Sequence, residues 1–87
     1  MTKIYIYCIF VNNDVLYGVY SSIKSAHRDA IKLSNKGSSS VYINHEGKSM
    51  QPTLTLLRNI FKGGIDIKVS YFTDSEKITI LKTKLRE

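Results

Sequence analysis

Residues 20–37 limit what this chain can fold into more tightly than any other stretch. Ser21 or Ser22 is placed to cap a helix, its oxygen accepting an otherwise unpaired backbone N–H, and Asn35 and Gly37 provide the exit. Ile23, Ala26, Ala30 and Leu33, with Ile31 at the edge, recur at helical spacing and form a face that can lie on a sheet. Lys24, Arg28, Lys32 and Lys36 recur on another side as a column of positive charge. Lys32 and Lys36 fall near the negative end of the helix dipole.

Strands surround that helix. Lys3 to Val11 is a continuous β-prone run, Asn12-Asn13-Asp14 has turn chemistry, and Val15 to Tyr20 is a second run, so residues 3–20 read as a hairpin. In the first strand Ile4, Ile6, Cys8 and Phe10 share one face, and Tyr5, Tyr7, Ile9 and Val11 the other. Both faces are apolar or aromatic, which predicts a strand covered on both sides or one that shows a face to a partner. Gly18 marks a bulge or a close backbone approach.

Past a serine connector at 38–40, Val41 to Asn44 reads as a short strand with a turn at Glu46-Gly47, and residues 48–52 as a loop. Pro52 suits the first turn of a second helix running to about Lys62. Leu54, Leu57 and Phe61, flanked by Leu56 and Ile60, make its apolar side, and Gly63-Gly64 ends it. Ile65 to Tyr71 alternates, with Ile65, Ile67, Val69 and Tyr71 inward. A turn at 73–76 and a strand from Lys77 to Leu85 close the chain. The expected fold is α+β, a small antiparallel sheet with two helices in the order β-β-α-β-α-β-β, as a single domain over 1–87.

Composition agrees with a globular domain: 43% of the 87 residues are apolar, and the Ile, Val and Tyr content favours strands. A chain this short buries only about 60–65% of its unfolded surface. That marginal core, with a first strand apolar on both faces, predicts a homodimer. The run from Ile4 to Val11 is too short to span a membrane, and Cys8 is the only cysteine, so no internal disulfide forms. The expectation is a soluble, cytoplasmic protein in which Cys8 is a packed small residue.

The net charge is +6, which attracts polyanions or an acidic partner, though it also serves solubility. Like charges along one helix side repel by ~0.2–0.5 kcal/mol per pair, and an anionic ligand would relieve them. The candidate binding residues are therefore the column Lys24, Arg28, Lys32 and Lys36, with a second cluster at Lys82, Lys84 and Arg86 and a third pair at Arg58 and Lys62. Tyr5, Tyr7, Tyr17 and Tyr20 are candidates for stacking single-stranded RNA, against core or dimer packing. His27 and His45 are the only acid–base candidates, and no carboxylate is placed in sequence to orient either. Two histidines and one cysteine match no metal-ligand spacing, and Gly63-Gly64 precedes a strand rather than a helix, unlike a phosphate loop. No cofactor is expected.

The hairpin, the run Gly18-Val19-Tyr20-Ser21-Ser22 and the following helix with Ala26 and Ala30 resemble a pattern of small early proteins of T-even-type phages. Over residues 3–45 the order strand–strand–helix–strand is similar to the phage antitoxins of the Dmd type, and to the phage inhibitors of the ToxIN toxin (TifA). The resemblance implies a phage-encoded, non-enzymatic inhibitor of a host defence protein, an RNA-cleaving toxin, acting in the host cytoplasm with RNA on the basic surface. The alternative is a stand-alone RNA-binding module; a small nuclease using His27 or His45 ranks third.

Overall fold

A computed structural model describes residues 5–12, 14–34, 41–73 and 76–84. The elements are β1 (Tyr5–Val11), β2 (Val15–Tyr20), α1 (Ile23–Ser34), β3 (Tyr42–His45), β4 (Lys48–Met50), α2 (Leu54–Phe61), β5 (Ile67–Phe72) and β6 (Lys77–Lys84). All strands join one antiparallel sheet of six, in the order β2-β1-β6-β5-β3-β4. The α+β class with two helices is as expected; the order β-β-α-β-α-β-β is not, because the structure has an additional strand before α2.

That strand, β4, comes from the turn. Glu46 (φ 52°) and Gly47 (φ 78°) are both left-handed, the geometry of a two-residue hairpin whose twist matches that of its strands. The chain doubles back and pairs His45 with Lys48, Asn44 with Ser49 and Ile43 with Met50. Lys48, Ser49 and Met50 are all exposed, so no apolar alternation marked them as a strand.

Other boundaries also move. Pro52 lies ahead of the N-cap Thr53, whose Oγ1 accepts from Leu56 N–H at 3.1 Å, rather than in the first turn of α2. Ile65 does not continue the inward row: Asp66 is left-handed (φ 58°), which breaks the extended chain, and Ile65 is 41% exposed. Ser22 is the residue that caps α1, its Oγ accepting from Ser25 N–H at 3.2 Å. The expected exit at Asn35 and Gly37 and the connector at 38–40 lie outside the described residues.

Register explains Gly18. The β1–β2 ladder runs Ile9 opposite Gly18, then Phe10 opposite Leu16, leaving Tyr17 as the extra residue of a bulge. A Cβ on Gly18 would stand 3.2 Å from the Tyr20 ring, a tight contact from which the ring would have to shift by a few tenths of an ångström.

Both helices cover the same sheet face. Ile9, Ile43, Val69, Tyr71, Ile78 and Ile80 alternate onto it and are buried with Ala26 and Ala30 of α1 and Leu57 and Phe61 of α2. Each large aliphatic side chain there contributes roughly 1.5–3 kcal/mol of burial. Small Ala26 and Ala30 bring the α1 backbone close to the strands, and Ser34 Oγ donates back to Ala30 C=O at 2.7 Å. Among the described residues, no helix is long and apolar enough to cross a membrane.

Candidate nucleic-acid interface

The alternation that builds the core also defines the opposite face, and no described helix lies on it. Ladder partners place Ile6, Cys8 and Phe10 of β1, Thr79, Leu81 and Thr83 of β6, Lys68, Ser70 and Phe72 of β5, and Tyr42 of β3 there together. Of these, Phe10 and Phe72 are half-buried and Tyr42 and Lys68 exposed.

Phe10, Leu81, Thr79, Ser70, Lys68 and Lys77 line a groove of about 190 Å³. Its floor is polar and satisfied, since the Ser70 and Thr79 hydroxyls hydrogen-bond at 3.0 Å across directly paired strands. Beside it, Phe72 and Tyr42 stack with centroids 5.7 Å apart and ring planes 28° apart. The Lys77 ammonium stands 5.9 Å from the Phe72 centroid, within cation–π range. At the far end Asp66 accepts from Thr83 Oγ1 at 2.9 Å. The surface thus carries ring faces, two ammonium groups and the hydroxyls of Ser70, Thr79 and Thr83 across four adjacent strands. Chemically it can stack planar groups and neutralise phosphate charge.

The residues singled out from sequence lie elsewhere. Lys24, Arg28 and Lys32 are exposed on α1, on the other side of the molecule; Arg28 Nε is 3.7 Å from Asp29 Oδ1, a weak exposed pair. Lys36 and Arg86 lie outside the described residues. Lys82 faces the helix layer, where its Nζ donates to Phe61 C=O at 2.8 Å and stands 4.8 Å over the Tyr5 ring. It therefore serves the C-terminus of α2, where a cation meets unpaired carbonyls. Lys84, half-buried, pairs with Tyr5. Arg58 and Lys62 are exposed on and just after α2.

Tyr5, Tyr7 and Tyr20 face the same way as Lys82, and Tyr17, the bulge residue, is exposed. Tyr7 packs edge-on against Phe61 at 5.7 Å, and the Tyr20 hydroxyl donates to Asp29 Oδ2 at 2.7 Å. Burial, and then the Asp29 hydrogen bond and charge, push the Tyr20 phenol up to about 12. The rings on the helix-free face are instead Phe10, Tyr42 and Phe72. The signal available in sequence was the alternation of Lys68, Ser70 and Phe72 against Val69 and Tyr71, which put a basic and aromatic row on the outward face.

His27 and His45 are engaged separately. His27 Nδ1 is hydrogen-bonded to the Tyr71 hydroxyl; burial lowers the His27 pKa and raises that of Tyr71, so both stay neutral. His45 Nε2 lies 3.9 Å from Glu46 Oε1. Burial pushes the Cys8 thiol up, away from thiolate reactivity. Among the described residues, no group of three or more His, Cys, Asp or Glu is assembled to hold a metal ion. Compared with known proteins, the chain matches no family model, no curated protein and no solved structure.

Proposed function

We propose that this protein acts by binding rather than by catalysis, and that single-stranded RNA lies across its helix-free sheet face. The observation that carries the reading is the row Phe10, Phe72 and Tyr42 with Lys68 and Lys77 beside it, spread over four adjacent strands. Unpaired bases stack on such rings while lysines meet the phosphates, and each stacked base is worth about 1–3 kcal/mol. The test is fluorescence anisotropy with labelled single-stranded oligouridine at low salt. Phe10→Ala with Phe72→Ala should weaken binding at least tenfold, and Lys24→Glu, Arg28→Glu and Lys32→Glu together should weaken it less. Affinity lost only in the triple helix variant would move the site to α1, and no binding at low salt would end the reading.

A second reading is favoured by the exposed column Lys24, Arg28 and Lys32 on the side away from the aromatic row. In it the chain is a phage-encoded inhibitor of a host RNA-cleaving toxin in the host cytoplasm. A ribonuclease attracts RNA with positive charge, and this chain carries +6, so the two repel unless RNA lies between them. Back-to-back basic surfaces suit that bridging. Co-purification from host lysate, with and without ribonuclease treatment, tests it: a ribonuclease partner released by RNA digestion is expected, and no stoichiometric protein in either sample would exclude it.

A further inference from the structure

The two sheet edges are unlike each other. β4 is a three-residue strand carrying Lys48, and short length and a lysine are how an edge avoids pairing. β2 is six residues long and reads Val15-Leu16-Tyr17-Gly18-Val19-Tyr20, with neither charge nor proline. On its outer side the row of backbone N–H and C=O groups has no strand partner among the described residues. Val15, Leu16, Tyr17 and Val19 are all 53–59% exposed, while α1 meets β2 at its end, through the Tyr20–Asp29 hydrogen bond. Water-exposed apolar side chains together with an open backbone ladder are a template for another strand.

We infer that the β2 edge pairs with the β2 edge of a second copy of this chain, antiparallel and about a two-fold axis. Three observations select a second copy over an unrelated strand. The first is shape: the bulge at Tyr17 bends β2 away from a straight foreign strand, whereas a symmetry mate carries the same bend into the pairing. The second is charge. Antiparallel pairing sets exposed Asp14, just before β2, beside the second copy's Ser21–Lys24 segment. There α1 begins with no acidic residue in its first turn and with Lys24 exposed, so a carboxylate is wanted. The relation is reciprocal, and the remainder of the interface is uncharged in a chain of net charge +6. The third is continuity. Leu16 and Val19 share the open face with Phe10 and Cys8, so pairing joins two helix-free faces into one uninterrupted surface. The pairing stands on these observations whether or not RNA is bound.

The experiment is sedimentation of the full, ribonuclease-treated chain over a concentration series reaching ~100 µM, where even weak association of Kd ~10 µM is visible. A species of twice 9.9 kDa is expected. L16K/V19K, placed on exposed positions, should sediment as a monomer with an unchanged circular dichroism spectrum. D14K alone should weaken the dimer about two- to fivefold, the range of an exposed ion pair, and D14K/K24D should restore it. Amide hydrogen exchange on the unaltered protein supplies the independent readout, with β2 amides gaining protection as concentration rises. A monomer throughout, a dimer indifferent to L16K/V19K, or concentration-dependent protection at β4 instead of β2 would each overturn the proposal.

Discussion

His27 carries the clearest pH signature in the molecule, because it lies beside Tyr71 in the covered layer and is disfavoured as a cation by burial. Its pKa in the folded protein falls below the ordinary 6.5, so as pH drops through that value the unfolded chain takes up a proton the folded one does not. The unfolded state then binds more protons, and stability decreases as pH falls. Thermal melts should show a falling Tm below pH 6.5, and His27→Gln should flatten that step. Tyr20 offers a second handle. Asp29→Ala removes the hydrogen bond and the charge but leaves burial, the largest cause, so ultraviolet titration should find Tyr20 ionising below about 12 and still above 10.0.

Each helix is held by side chains at its ends, and these interactions separate structural lysines from binding ones. Lys82 donates to the Phe61 carbonyl at the end of α2, and Thr53 caps its start. Lys82→Met keeps the stem that crosses Tyr5 but deletes the donor, and should lower unfolding free energy by about 1 kcal/mol. Thr53→Ala should cost a similar ~0.5–2 kcal/mol. Chemical denaturation measures both. Because Lys82 faces the helix layer, Lys82→Met should leave oligouridine affinity nearly unchanged, whereas Lys68→Glu with Lys77→Glu, on the open face, should reduce it strongly.

For the molecule as a whole, the proposed function rests on the division into a covered and an open sheet face. RNA held across the open face would release counterions, so log affinity should fall linearly with log salt. Removing the charge of Lys68 and Lys77 should flatten that slope by about 0.7 for each phosphate no longer neutralised. A slope unchanged in that variant but flattened by neutralising Lys24, Arg28 and Lys32 would assign the phosphates to α1. The same division places the proposed β2 pairing where it extends the open face and does not compete with the helices.

Much of this was readable in the linear chain because it rests on local physics. Alternation gave β5 its phase, the spacing of Ile23, Ala26 and Ala30 gave α1 its buried side, and serine chemistry gave its cap. Gly18 pointed to a bulge or a close backbone approach, and the bulge falls at its neighbour Tyr17. Two things were not readable. One was β4, whose three exposed residues carry no apolar period and pair only because the left-handed Glu46-Gly47 turn reverses the chain. The other was which side of β1 and β6 meets the helices. In β1 both faces are apolar, so burial of Ile9 and Tyr7 rather than Phe10 and Cys8 depended on where α1 and α2 settled. That choice follows from packing Ala26, Ala30, Leu57 and Phe61 against strands distant in sequence. It turned Lys82, Tyr5, Tyr7 and Tyr20 to the helix side and left Phe10, Phe72, Tyr42, Lys68 and Lys77 on the open face.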